Sequence, residues 1–559
     1  MKNMEMVPGL RVGVVLLAIV LFTLGVPDSG RAAPGDLDPT FGSGGKVTTD
    51  FGGDDQAFAL ALQPDGKIVA AGSSTQNFAL ARYNADGSLD ATFGSGGKVT
   101  TNFGLVLTLA HALALQPDGK IVVAGESNVN FALARYNPDG SLDATFGTGG
   151  KVITDFGGID RARALALQPD GKIVVAGESA PFTGLSDFAL ARYNPDGSLD
   201  ASFGTGGKVT TDFGGTADRA DALALQPDGK IVLAGGSSSV SASVDFALAR
   251  YNPDGSLDAS FGTGGKVITD FGNSDAAFAL ALQPDGKIIV AGVSTGVSVG
   301  PGRGFALARY NPDGSLDATF GTGGKVITNF GGAVAIGFAE SVALQPDGKI
   351  VVTGPSFFGN TSDFALARYN PDGSLDASFG TGGKVTTDFG GTADQAHALA
   401  LQPDGKLVLA GSSGPIGSQN FALARYKGDP IPTVSIATNQ PVYHAGDRMI
   451  VTVTTDPGET TDRWYLLVAL VTPVNTPADL FFIYRFDPVV ELITLQEAIS
   501  RPVADIAARP LSVVVAESFT ILDVTLPALP VGSYQWLTAF FSENLTRISN
   551  AAGAPFTFE

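Results

Sequence analysis

The chain has no cysteine and few of several other residue types: three histidines, two tryptophans and four methionines in 559 residues. Without thiols there is no disulfide framework, no thiolate metal site and no cysteine nucleophile. Charge is also scarce, at 16% of residues against a globular norm of about 25%. Disorder driven by charge is therefore excluded. Basic residues are the scarcer kind, 35 against 55 acidic, for a net charge of −20. That balance argues against a nucleic-acid partner, because phosphate binding requires clustered Lys and Arg. Glycine and proline are abundant, at 73 and 32. The length exceeds what a single core usually supports, so several domains or a repeat array are expected.

Residues 1–32 read as a signal peptide. Lys2 and Arg11 precede the fifteen-residue apolar run Val12–Val26, too short for the roughly 20 residues of a permanent span. Gly30 and Ala32 then supply the small residues of a cleavage site. An uncleaved anchor is the alternative; lipid anchoring is excluded, because no cysteine follows. The expectation is an exported protein, extracellular or at the cell surface, with the periplasm as a further possibility. No stable membrane span would remain after cleavage.

An internal repeat dominates the rest. FG-x-GGKV occurs seven times, with its lysine at Lys46, Lys98, Lys151, Lys208, Lys266, Lys325 and Lys384. LQPDGK also occurs seven times, and its glutamines, from Gln63 to Gln402, lie 53, 52, 58, 57, 62 and 57 residues apart. Such a period points to a propeller or solenoid. Each unit reads as four strands: A (AFALAL), B (KIVAAG), C (FALARY) and D (GGKVTTDF). QPDGK and NPDGS mark the A–B and C–D turns, with proline at the first turn position and glycine free to take positive φ. Bulky apolar residues alternate with Ala, a pattern suited to sheets buried on both faces and stacked bulky side to small side. The array opens with a D strand lacking A, B and C, and it closes with A, B and C lacking D. A ring makes these two fragments one blade, whereas an open solenoid would need polar caps. The predicted class is therefore all-β: a seven-bladed β-propeller of four-stranded antiparallel blades over residues 36–427.

The run ALALQPDGKIVVAGES followed by FALARYNPDGSLDATFGTGGKV resembles the delta-60 repeat family of secreted bacterial β-propellers. The phase of the repeat is also similar to WD40 blades, without their tryptophan–aspartate pair. The resemblance implies a propeller and an exported location, and it carries no activity or catalytic residues. After a short linker at residues 428–432, residues 433–559 hold six or seven β-rich runs, as an immunoglobulin-like β-sandwich would. Its opening PVYHAGDRMIVTVTT resembles bacterial immunoglobulin-like or macroglobulin-like modules. Residues 495–507 could form a short helix broken at Pro502.

Candidate chemistry is sparse. The strand-A position five residues before each repeat glutamine carries Phe58, His111, Arg163, Asp221, Phe278, Glu340 and His397. Because strand A should be innermost, these side chains would ring one mouth of the channel. His111, His397, Asp221 and Glu340 could serve a metal or acid–base site, or the position could be a wet rim that tolerates any side chain. The arginines of FALARY (Arg82, Arg135, Arg192, Arg250, Arg309, Arg368, Arg425) point inward and need partners. The SLD aspartates, such as Asp90, and the strand-D aspartates, such as Asp50, are the candidates. A ring of arginines holding an anion is the alternative use. NPDGSLD resembles a calcium loop and a sialidase Asp-box but lacks the third carboxylate of one and the tryptophan of the other, so it reads as a hairpin turn. Calcium remains an option at acidic loops such as Asp54–Asp55 or Asp218 with Asp221; no other cofactor is expected.

The A–B and C–D turns are nearly invariant, whereas the D–A and B–C loops of the opposite face vary. From the strand-B glycine to the strand-C phenylalanine there are five residues in units one and two, then ten, ten, twelve, nine and nine. Binding surfaces grow on such loops, and Leu105, Val106, Leu107, Pro181, Phe182, Phe357 and Phe358 are the apolar candidates there. The expectation is a non-catalytic, monomeric binding, adhesion or scaffold protein whose partner is an extracellular protein or glycan. A secreted propeller hydrolase or lyase acting on an extracellular polymer is the alternative.

Overall fold

The computed structural model describes residues 33–104, 107–182, 184–238, 243–272, 274–295, 304–331 and 336–429, and the backbone of nine strands between Thr433 and Phe558. The expected signal peptide, and with it Leu105 and Val106, lies outside the described residues. Among those that are described, no helix is long and apolar enough to cross a membrane.

The repeats form seven antiparallel blades. In blade 1, A is Asp55–Leu62, B Ile68–Ser74, C Asn77–Tyr83 and D Lys98–Thr101. The A strands contact one another around a closed circle, so they are innermost. Each QPDGK turn closes as the sequence suggests. Gln63 and Lys67 pair, the Gly66 amide donates to the Gln63 carbonyl at 2.9 Å, and Gly66 takes φ +84°.

Strands B and C are buried at nearly every position, and seven apolar clusters fill the seven gaps between blades. In the first gap Phe78 and Leu80 of blade 1 lie in one cluster with Ala132 and Ala134 of blade 2, bulky face against small face. Strands A and D depart from that pattern. Much of A is only half-buried, because one of its faces looks into the central channel, and D is half-exposed at the outer edge.

Ring closure involves more than the orphan strand. Strand D of the last blade is Lys46–Thr49, paired with Asn420–Tyr426. The preceding segment also joins: Leu37 bridges Tyr426, Arg425 Nε donates to Asp38 at 2.9 Å, and Phe41 is fully buried in the closing cluster. Every FALARY arginine is latched in this way. Arg82 donates to Asp90 at 2.8 Å, to the Pro138 carbonyl of the next blade and to Thr92, and its guanidinium stacks 4.6 Å from the centre of Phe93. The SLD aspartate is therefore the partner. Strand-D aspartates such as Asp50 instead accept a turn glycine amide, as Asp50 does from Gly52. Between neighbouring blades, Tyr83, Tyr136, Tyr193, Tyr251, Tyr310 and Tyr426 donate to a strand-D threonine at 2.8–2.9 Å.

Blade 6 departs from the others. Its A strand is broken into Ile336–Gly337 and Ser341–Leu344, both paired with Ile350–Phe358. Pro355 stands in that B strand, where a proline has no amide to donate to the ladder.

The chain divides into two compact units, one comprising Pro34–Gln402 with Leu407–Lys427. In the other, Thr433–Thr438, Arg448–Asp456 and Glu517–Thr525 form one sheet, and Val442–Tyr443, Ala552–Phe558, Gly532–Phe541 and Tyr465–Val471 form a second. The helix expected at 495–507 lies outside the described residues.

Candidate functional site: the mouth of the central channel

The mixed strand-A position coincides with a β-bulge. The pairing of A with B shifts register between Ala57 and Ala59, leaving Phe58 unpaired, and the same shift occurs at His111, Arg163, Asp221, Phe278 and His397. A bulge inserts one residue and re-aims its side chain. The glycine of strand B makes room for it: a Cβ on Gly72 would lie 1.8 Å from the Gln56 carbonyl oxygen.

The bulged side chains join others into two groups. In the first, Glu126 of strand B takes Arg161 Nε at 2.8 Å and lies 3.8 Å from His111 Nε2. Glu178 receives Arg161 at 3.3 Å and Arg163 at 3.1 Å. Asp221 then faces Arg163 at 3.7 Å and Arg219 at 2.8 Å. Burial pushes the His111 imidazole below its ordinary value, and the two arginines reinforce the shift. Burial alone would raise Glu126, but its contact with His111 and the arginine charges hold it below the carboxylate range. Asp221 goes the other way: burial raises its carboxyl despite Arg219 and Arg163.

The second group holds His397 Nδ1 and Glu340 Oε2, 2.5 Å apart. Phe58 links the two groups, its ring centre 5.4 Å from that of His111 and 5.1 Å from that of His397. On the far side Arg219 lies over Phe278 at 5.9 Å, followed by Phe338 and Phe357 at 6.2 and 5.8 Å ring to ring.

His111, His397, Asp221 and Glu340 therefore do not converge on one point. Only His397 and Glu340 meet; His111 and Asp221 are engaged elsewhere. The acidic pairs proposed from sequence also separate. Asp55 accepts the Phe51 amide and Asp54 the Gln419 amide, while Asp218 clusters with Asp187 and Asp212 and not with Asp221.

Sequence reasoning missed Glu126, Glu178, Arg161, Arg219 and Phe338. A signal was available: the residue after the strand-B glycine reads Ser73, Glu126, Glu178, Gly236, Val293, Pro355 and Ser412, as mixed as the strand-A position. Around the mouth, Leu107, Phe182 and Phe358 are 37, 74 and 38% exposed, and Pro181 is exposed too, whereas Phe357 is half-buried. Leu185 and Ile416, on B–C loops of the same face and not among the residues named from sequence, are exposed too, at 57 and 84%.

A family described as "Domain of unknown function (DUF5122) beta-propeller" matches at residues 63–93, 116–146, 168–203, 226–261, 283–320, 345–379 and 402–429. No curated protein matches. Among solved structures, the chain is similar to the extracellular domain of a hybrid two component system from B. thetaiotaomicron at 10% identity, with 92% of this chain and 57% of that one covered and a TM-score of 0.38. It spans little more than half of that domain. A catalytically inactive virginiamycin B lyase from Staphylococcus aureus with quinupristin is similar at 11% identity, coverage of 68 and 98%, and a TM-score of 0.40. Polysaccharide lyase Uly1 gives 11%, 66 and 90%, and 0.39. No residue of the mouth draws an assignment from these likenesses. Seven units of one repeat, each matched by the same family and closed into one ring, make this chain a β-propeller repeat protein.

Proposed function

We propose that the chain is an exported, non-catalytic binding protein that holds an extracellular glycan or protein on its variable face, centred on the channel mouth. One observation carries this reading: departures from the seven-fold repeat gather on one face. The mixed strand-A and strand-B positions, the loops of unequal length and the exposed Leu107, Phe182, Leu185, Phe358 and Ile416 all lie there. Arg161 and Arg219, more than a third exposed, offer planar donors for carboxylate or sulfate groups. The phenylalanines offer flat apolar contact beside them. The first group's charges are already paired with one another, which suits recognition better than proton transfer. The C-terminal segment, as an immunoglobulin-like module, would space or dock the propeller.

The experiment is a screen of extracellular glycans and peptides read for both binding and product release. The expected result is retained ligand and no product, with binding lost in Arg161→Ala. A second reading, a lyase or hydrolase, draws on the contact of His397 with Glu340, an acid–base pair at the mouth. Product release abolished by His397→Gln would select it.

A further inference from the structure

We propose that Arg219 and the phenylalanines beside it form a subsite for an acidic sugar residue, with the sugar's carboxylate or sulfate on the guanidinium and its ring against Phe278 and Phe338. This subsite rests on the reading of the mouth as a binding surface. It adds the class of ligand and the residue that selects it.

The repeat sets this arginine apart from its neighbours. Arg161 and Arg219 hold the same place in strand A of blades 3 and 4, two residues before the bulge. Across the strand pair, Arg161 stands opposite Glu178, whereas Arg219 stands opposite Gly236. Arg161 therefore meets two carboxylates, Glu126 through Nε at 2.8 Å and Glu178 through Nη1 at 3.3 Å. Arg163 likewise lies between Glu178 at 3.1 Å and Asp221 at 3.7 Å. Arg219 meets Asp221 through Nε at 2.8 Å, and among the described residues no second carboxylate pairs with it. The alternation of acid and base runs from Glu126 to Arg219 and ends on a cation.

Among the described residues, Nε is the one side-chain nitrogen of Arg219 with a hydrogen-bond partner. Asp221 holds the guanidinium by that atom and leaves both Nη groups over, on a side chain more than a third exposed. Two donors in one plane match two oxygens of a carboxylate or sulfate and give a pair of charge-assisted hydrogen bonds.

Beyond Arg219 the side chains become small and then aromatic. A Cβ placed on Gly236 would lie 3.7 Å from that of Ala276 in the next blade, so the positions that follow the arginine carry almost no side chain. The Arg219 guanidinium lies over Phe278 at 5.9 Å, and Phe338 follows at 6.2 Å ring to ring. Both rings are half-buried, and each keeps part of its surface for a ligand. The C–H face of a pyranose fits such rings. An acidic peptide would reach the same donors, but it would set backbone amides against Phe278, Phe338 and Ala276, which have no polar side-chain atom to meet them.

The test is a binding panel on the full chain: uronate-bearing, sulfated and neutral oligosaccharides of matched length, and acidic peptides. Acid-bearing sugars are expected to bind about tenfold or more tighter than the neutral sugars and the peptides. Arg219→Gln should remove that preference and leave any binding of neutral sugars as it was. Gly236→Glu copies Glu178 into blade 4 and should act alike with the arginine in place, because the new carboxylate takes its free donors. Val244 must shift to admit that side chain, since a Cβ would lie 2.9 Å from its Cγ1, so melting points of both variants are compared with the parent's; if Gly236→Glu does not fold, Arg219→Gln decides. Neutral sugars or acidic peptides bound as tightly as acidic sugars, or an unchanged preference in Arg219→Gln, would overturn the subsite. If Arg161→Ala still abolished that binding, the mouth would stand as the binding surface. Binding of no member of the panel would overturn both.

Discussion

Arginine stands in two different settings on the two faces of this ring. On the invariant face Arg82 and its six repeats are buried, each held by an aspartate, with a carbonyl of the next blade and the face of a phenylalanine beside it for Arg82. At the variable mouth Arg161 and Arg219 pair with Glu126, Glu178 and Asp221 yet keep more than a third of their surface. The first set joins one blade to the next and recurs in all seven units. The second occurs in single copies and leaves donors available to a partner. Identical chemistry is closed into the scaffold where every unit repeats it and stays partly exposed where the repeat lets it go.

Removing residues 36–51 tests the scaffold most severely. Blade 7 loses its outer strand, together with Asp38 and Phe41, so cooperative thermal unfolding, followed by circular dichroism, should disappear. Next in size, Arg82→Ala leaves the buried Asp90 with Lys67 as its remaining cation, beside the Thr92 amide and hydroxyl, and should cost about 3 kcal/mol in denaturant unfolding. Arg161→Ala, at a half-exposed pair, should cost under about 1 kcal/mol. Similar costs for the two would erase the contrast.

Acid should act chiefly through the latches. The hydroxyls of Thr92 and Ser202, against burial and with help from amides, lysine and arginine, hold the carboxyls of Asp90 and Asp200 well below the ordinary range. A carboxyl lowered in the folded state contributes stability above its unfolded value, near 3.9, and loses it as pH falls through the folded value. Asp221, raised by burial, acts in the opposite sense: its share is present below the unfolded value and lost as pH rises through the folded one. With the latch repeated around the ring, the melting point should fall steadily below about pH 4. The smallest effect is expected at Ile153→Thr, on an exposed outer strand where blade 1 already has Thr100; it should stay within about 0.5 kcal/mol.

Much of this was legible from the chain itself. The orphan D strand before Asp55 and the unfinished blade ending at Tyr426 imply closure, and the Ala/Phe/Leu alternation of FALARY anticipates the stacking of bulky on small faces. The mouth was only half legible. His111, Arg163 and Asp221 stand out against Phe58 and Phe278 at one repeat position, but their partners Glu126 and Glu178 lie on the next strand. Which residue faces which depends on a bulge that no side chain announces, since it is admitted by the bare Cα of glycines such as Gly72. The choice between Asp90 and Asp50 as partner of an arginine likewise needed the path of the SLD segment, which folds back on strand C before strand D begins.

The division of labour between the two faces is tested most directly by one binding measurement on paired variants. A ligand found by the glycan and peptide screen would be titrated against the parent, against Phe182→Ala with Arg161→Ala on the variable face, and against Asp65→Asn with Asp118→Asn on the exposed turns opposite. Affinity lost by about tenfold or more in the first pair and kept in the second is the predicted result. Affinity lost in the turn pair and kept in the mouth pair would contradict the account.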